Sequence, residues 1–294
     1  MIDKESVLSR MQEDMHLRGF AESTRSNYGR YAGKFLEYAN GRGDMSEETI
    51  RMFLRHLLDE RKLTPGTVNM YNASIRFLFE VTLDQTINHK RVPRLRERKD
   101  LPEILTKEEL RRIFEHTTPL RNRAVLMTVY GGGLRLSEAC ELKISDIDSK
   151  AMRIFVRNGK GSKDRYTLLS QANLEMLREY WKEYHPRHPE GWLFLDKIGD
   201  NHAQKRMVQV ALDRALERAG ITKEVTVHTL RASFATHLLE DGVDIFTVKR
   251  LLGHTGLKSL SRYMGVTKFE ATLKSPLDTL PKKRGRKPKA SPHV

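Results

Sequence analysis

The stretch VHTLRASFATHLL, residues 227–239, has its apolar residues at helical spacing. Phe234, Leu238 and Leu239 form the side to be buried, and a helix starting at or just after His228 puts His228 and Arg231 on one face, three residues apart. A histidine and an arginine so spaced are ordinary on a helix, so their meaning depends on what lies to either side. Downstream, LLGHTGLKSLSRYMG, residues 251–265, closes an apolar run with Gly253 and His254 and places Tyr263 nine residues after that histidine. Alone, such a tyrosine is a half-buried aromatic with its hydroxyl in water. Upstream, YGGGLRLSEACEL, residues 130–142, sets three glycines before Arg135 and the start of an amphipathic helix, where an arginine is well placed to meet an anion. It is not a nucleotide loop, because it has neither G-x-G-x-x-G nor G-K-[ST].

Between these stretches the period changes. In AMRIFVRNGKGSKDRYTLLS, residues 151–170, Met152, Ile154 and Val156 alternate with polar or opposite-face residues, and a Gly-rich turn leads to Leu168 and Leu169. This predicts a β-hairpin with Lys160 and Lys163 at or beside its tip. Helical patterns follow near 171–184, 202–219, 229–240, 244–252 and 257–264. The first 85 residues are helical as well, near 3–18, 22–39, 46–60 and 65–81, with breaks at RGF, NGRGD and KLTPG. Thr64 caps a helix whose first residue is Pro65, Asp44 and Glu47 have capping-box spacing, and Thr106 with Glu109 opens a new helical region. NHKRVPRLRERKDLP, residues 88–102, holds six Lys or Arg and two prolines and reads as a basic linker. PKKRGRKPKASPHV, residues 281–294, has six basic residues, three prolines and no acid, too little apolar surface to fold alone. The expected organisation is a helical domain over 1–87, a linker over 88–102, a second domain over 103–278 and a basic tail over 279–294. The fold class is mostly α with a small β-sheet.

Charge narrows the partners. The chain of 294 residues carries 53 Lys plus Arg against 38 Asp plus Glu, a formal +15, and such an excess attracts polyanions through counterion release. No apolar run approaches the roughly 20 residues of a membrane span. The start, MIDKESVLSRMQEDMH, has acids and no apolar core of a secretory signal, so the expected compartment is the cytoplasm, at the nucleoid. Cys140 is the one cysteine, which excludes an intramolecular disulfide and a multi-cysteine zinc site, and its apolar setting marks it as a small core residue. The acids of SDID, residues 145–148, are explained by a surface helix end, and HPRHP, residues 185–189, by a loop. Neither metal nor cofactor is expected.

Taken together, Arg135, Lys160, His228, Arg231, His254 and Tyr263 occur in GLRLSE, GKGSKDR, HTLRASFATHLL and LLGHTGLKSLSRY, and in that order and spacing the chain resembles the tyrosine recombinases of the phage integrase and Xer type. STRSNYGRYAGKFLEY and TPGTVNMYNASIRFLFE resemble the family's N-terminal, SAM-like core-binding domain, so the likeness extends over nearly the whole chain. It departs from the family at Ala232, where a histidine is frequent, and at Met264 and Gly265, where Thr-His is frequent.

The resemblance implies a four-helix core-binding domain and a catalytic domain that clamp duplex DNA, and a 3′-phosphotyrosine intermediate formed without metal or ATP. The chemistry agrees with those residue types. Arg135 and Arg231 carry permanent charge that can fork onto phosphate oxygens, and His254 can donate a third hydrogen bond. Tyr263, with an ordinary pKa near 10, needs a base, for which His228 is the candidate. The 5′ oxygen leaves well only if protonated, which assigns Lys160 as general acid. Candidate DNA contacts are Lys163 and Arg165 on the hairpin, Arg25 and Arg76 in the helical domain, Arg94 and Arg96 in the linker, and Arg284 and Arg286 in the tail. The expected partners are double-stranded DNA and further copies of the chain, as a tetramer on two DNA sites. The expected task is recombination for a mobile element, with chromosome or plasmid dimer resolution, a type IB topoisomerase and a non-catalytic DNA-binding protein as alternatives.

Overall fold

The computed structural model describes residues 3–97, 103–159 and 163–253, and the chain divides into two compact units, Met1–Lys99 and Asp100–Val294. In the first unit, helices α1 (Lys4–Leu17), α2 (Glu22–Asn40), α3 (Glu47–Asp59) and α4 (Pro65–Phe77) enclose Met11, Phe35, Ile50, Val68 and Ile75, and α4 runs on through a π-turn over Leu78–Thr82. Thr64 caps α4 as its side chain accepts from Thr67 N, with Pro65 in the first turn. The start of α3 differs from expectation. Ser46 is its cap, accepting from Thr49 N, while Asp44 sits outside the helix and accepts from Ser46 N at 2.9 Å and Ser46 Oγ at 2.6 Å. Glu47 does not turn back on the helix. It accepts from Asn88 N at 2.6 Å and pairs with Arg91.

That contact belongs to a larger difference. Residues 88–97, linker-like in composition, are fastened to the first unit. Val92 is buried in its core, Asn72 Nδ2 donates to Pro93 O at 3.0 Å, and Asn69 exchanges bonds with Leu95, Nδ2 to its carbonyl and Oδ1 from its N–H. Buried asparagine amides satisfy a chain that has too few apolar residues to anchor itself. Arg76 is part of the same clamp. Its Nε donates to Asn72 Oδ1 at 3.0 Å and its terminal nitrogens contact His89 and Val92 O, so this candidate DNA contact is half-buried and holds protein.

The second unit opens with α5 (Lys107–His116), whose Thr106–Glu109 capping box is present as expected. Helices α6 (Leu120–Gly132) and α10 (Val227–Glu240) form its centre, with α7 (Leu136–Cys140), α8 (Gln171–Tyr184), α9 (Lys205–Arg218) and α11 (Ile245–Leu252) around them. A three-stranded antiparallel sheet, β1 (Ile147–Asp148), β2 (Arg153–Gly159) and β3 (Lys163–Leu168), pairs in sequence order. Ile154 lies opposite Thr167 and Val156 opposite Arg165, and all four are buried, while Phe155 and Tyr166 share the outer face. Cys140 is fully buried, and burial pushes its thiol up to about 12. Asp146 corrects the reading of SDID as a surface helix end. It is buried, accepts from Lys143 N at 2.9 Å in a 3₁₀ turn, and pairs with Arg157. Residues 185–188 form a loop, as expected. Among the described residues no helix is long and apolar enough to cross a membrane.

Candidate active site

The site begins where α6 stops. Gly133 takes φ +58° to end the helix, and a Cβ there would stand 2.3 Å from the Phe234 ring, so close packing against α10 and the left-handed turn both require glycine. The chain then turns through Leu134 and delivers Arg135 as the N-cap of α7. Glu138, three residues on, reaches back to accept from Arg135 N at 2.8 Å and from the Arg135 guanidinium at 2.6 Å.

Glu138 is the hub of the site. Arg165 forks onto it with nitrogen–oxygen distances of 2.9 and 2.7 Å, and Arg231 Nη1 stands 3.6 Å from its Oε2. Burial by itself would raise the Glu138 carboxyl. The bidentate bonds from Arg165 and the N–H and guanidinium of Arg135 outweigh it and hold the group down at about 2. The three guanidiniums are thereby fixed around one buried anion.

They are not equivalent. Arg135 keeps 26% of its side chain exposed and opens onto a cleft of 430 Å³ that it shares with His228, Lys205 and Gln209. Arg231, on the same helix as His228, is only 1% exposed and donates to Gly133 O at 2.7 Å and Leu252 O at 2.5 Å. The expected shared face of His228 and Arg231 therefore has depth. His228, at the first turn of α10, is at the surface, and Arg231, one turn on, is in the interior between the ends of α6 and α11. Arg165, expected at a DNA contact, faces inward beside Val156, where it forks onto Glu138 and donates from Nε to Leu251 O at 2.8 Å, bracing the site. Gly253, with φ +64°, lies against it, and a Cβ there would come within 2.9 Å of Arg165 Cδ.

The remaining candidates are separate. Arg25 contacts the His16 ring, Arg94 is exposed and pairs with Glu97, and Arg96 is exposed. Lys163 opens β3 opposite Gly159, its side chain outside the described residues. Lys160, His254, Tyr263, Arg284 and Arg286 also lie outside them. Sequence reasoning passed over Glu138, whose i, i+3 spacing from Arg135 was the available signal, and over Lys205 and Gln209 of α9. No group of three or more His, Cys, Asp or Glu in metal-holding positions occurs among the described residues.

The second unit thus gathers three arginines on one buried carboxylate, with an exposed histidine in the cleft that Arg135 faces. Comparison with known proteins identifies the class. Residues 103–270 match the phage integrase family and residues 7–89 the phage integrase N-terminal SAM-like domain. Protein y4qK of Sinorhizobium fredii, named for an integrase/recombinase role, is 37% identical over 286 residues, covering 96% of this chain and 92% of its own length. Tyrosine recombinase XerA of Thermococcus kodakarensis is 34% identical, with 91% and 93% covered. A lambda integrase tetramer bound to a Holliday junction has the same fold, with a TM-score of 0.72 at 20% identity over 88% of this chain and 76% of that one. The chain belongs to the phage integrase family of tyrosine recombinases.

Proposed function

We propose that the chain cuts and rejoins duplex DNA at specific sites, with Tyr263 as nucleophile and no metal or ATP in the reaction. The observation that carries this is the convergence of Arg135 and Arg231 on Glu138, with His228 in the cleft that Arg135 faces. Attack on a phosphodiester piles negative charge on the nonbridging oxygens, and fixed guanidiniums held by a buried carboxylate need no reorganisation to receive it. Arg135, partly exposed, meets the phosphate directly. Arg231 lends its charge from behind and ties down the end of α11, two residues before His254, which donates a further bond.

The Tyr263 oxygen forms the new bond to phosphorus, His228 takes the hydroxyl proton, and the 5′ oxygen leaves with a proton from Lys160. The products are a 3′-phosphotyrosine and a free 5′-OH, so a 5′-OH from a second duplex can reverse the step with the bond energy conserved. Exchange between two sites takes four copies, an arrangement supported by the tetrameric lambda integrase of the same fold. The task is movement of a mobile element, supported by the basic tail and by the integrase/recombinase relative; dimer resolution is the second reading, favoured by the XerA relative.

A nicked suicide duplex tests the chemistry. Wild type accumulates a covalent adduct, unchanged by EDTA, whereas Tyr263→Phe binds the same duplex and forms none. An adduct in the Phe variant, or loss of cleavage on chelation with recovery on adding Mg²⁺, defeats the proposal. A two-site exchange assay separates recombinase from topoisomerase, which relaxes one duplex and exchanges nothing.

A further inference from the structure

Arg165 sits on β3, two residues beyond Lys163 and five beyond Lys160, so its place in the chain ties it to the leaving-group side of the reaction. Its side chain goes elsewhere. All three guanidinium nitrogens are engaged, Nη1 and Nη2 on Glu138 at 2.9 and 2.7 Å and Nε on Leu251 O at 2.8 Å, and only 7% of the side chain is exposed. Leu251 belongs to the last turn of α11, and from there the chain passes through Gly253 directly to His254, with Tyr263 nine residues further.

The end of α11 explains what this bond does. A helix leaves its last four carbonyls without partners of its own. Here the N–H of Gly253 serves those of Lys249 and Arg250, Arg165 Nε serves Leu251, and Arg231 Nη2 serves Leu252 at 2.5 Å. The two cations also stand at the negative end of the helix dipole. Both are gathered on Glu138, Arg165 by its fork and Arg231 at 3.6 Å. The last turn of this eight-residue helix is thereby fixed on the same carboxylate that orients Arg135.

The hairpin depends on Arg165 far less. Strand β3 is held by its pairing with β2, from Arg153 opposite Leu168 to Val156 opposite Arg165, by the contact of the Phe155 and Tyr166 rings, and by Thr167 Oγ1, which donates to Gly132 O at 2.7 Å. Beyond Val156 the register shifts before Gly159 meets Lys163, so the regular ladder stops at Arg165, short of the tip. We propose, resting on the function given above, that Arg165 is a positioning residue for the nucleophile half of the reaction. Through Leu251 O it sets where the segment bearing His254 and Tyr263 leaves α11, and it does not set the general acid Lys160 of its own hairpin.

The test is adduct formation in single turnover on saturating suicide duplex, with a natural scissile phosphate and with a 5′-bridging phosphorothiolate, at a temperature where thermal melts show each variant folded. Arg165→Met should react about 10²-fold more slowly than wild type on both substrates, the cost of displacing a reacting group by about 1 Å, whereas Lys160→Ala should recover on the phosphorothiolate. Arg165→Lys keeps the charge beside Glu138 but cannot fork onto it and reach Leu251 O together, so it should melt close to wild type and still react about tenfold more slowly. The losses of Arg165→Met and Lys160→Ala should multiply in the double variant, and those of Arg165→Met and His254→Ala should fall short of their product. A lysine variant at the wild-type rate would reduce Arg165 to a charge, and recovery of Arg165→Met on the phosphorothiolate would put it on the Lys160 side. Either overturns the proposal, as does an unchanged rate in Arg165→Met. Wild type without an adduct, or an adduct in Tyr263→Phe, would instead sink the functional reading, and this role with it.

Discussion

Replacing Glu138 with glutamine keeps the size of the side chain and removes the charge on which Arg135, Arg165 and Arg231 are gathered. Held at about 2 against an ordinary 4.5, the buried carboxylate contributes about 3 kcal/mol of folding stability at neutral pH. Because its pKa is lowered by folding, that contribution is complete above about 4.5 and disappears as the pH falls toward about 2, with about 2 kcal/mol gone by pH 3. Glutamine does not titrate. Urea melts should therefore show Glu138→Gln less stable than wild type by about 3 kcal/mol at pH 7, within the range for breaking a buried ion pair, and by only about 1 kcal/mol at pH 3. The matching fall in Tm at neutral pH is about 6–12 °C for a unit of this size. At a temperature where the variant is still folded, adduct formation on the suicide duplex should drop by about 10² to 10³, the cost of misplacing one donor of an anion hole. A stability deficit of the same size at pH 7 and pH 3 would refute the electrostatic account, and an unchanged cleavage rate would show that Glu138 supports the fold alone.

Lys160→Ala should slow cleavage, and a 5′-bridging phosphorothiolate, whose sulfur leaves without a proton, should restore most of the rate; rescue of Lys163→Ala instead exchanges the roles of the two lysines. Deleting residues 281–294 should weaken DNA binding and flatten its salt dependence, by about 0.9 in the log–log slope for each phosphate that the tail neutralises, while leaving cleavage by bound enzyme nearly unchanged. If Arg284 and Arg286 enter a narrow minor groove, the deletion costs more on A·T-flanked sites than on G·C-flanked ones, and equal losses mark an electrostatic tail. Truncation after Met264 should impair assembly on two sites more than binding to one. Light scattering that finds only one copy per duplex during productive exchange would contradict the tetramer.

Most of the helices were legible because their signals are local. Thr64 with Pro65 and Thr106 with Glu109 announce helix starts within four residues of chain, and the alternation at Ile154 and Val156 announces a strand within three. Arg135, His228 and Arg231 could be named from spacing, since motif order is a property of the chain. What each side chain does was not legible, because an arginine looks the same in sequence whether it faces water, phosphate or a buried carboxylate. Arg165 and Arg76 read as cations for DNA, and both are spent inside the protein, the first on Glu138 and Leu251 O, the second on Asn72 and the carbonyl of Val92. Arg165 had a partial signal in register, since pairing with Val156 turns it inward.

The sequence by itself determined the two helical units, the hairpin, the excess of positive charge and the identity of the motif residues, all of which depend on contacts a few residues apart or on composition. Tertiary structure alone decided that residues 88–97 pack on the first unit, that Arg231 is interior while His228 is exposed, and that Glu138 joins arginines 3, 27 and 93 residues away in the chain. Such pairings are set by the cost of leaving a charge buried and unmatched, and that cost exists only once the chain has folded around it.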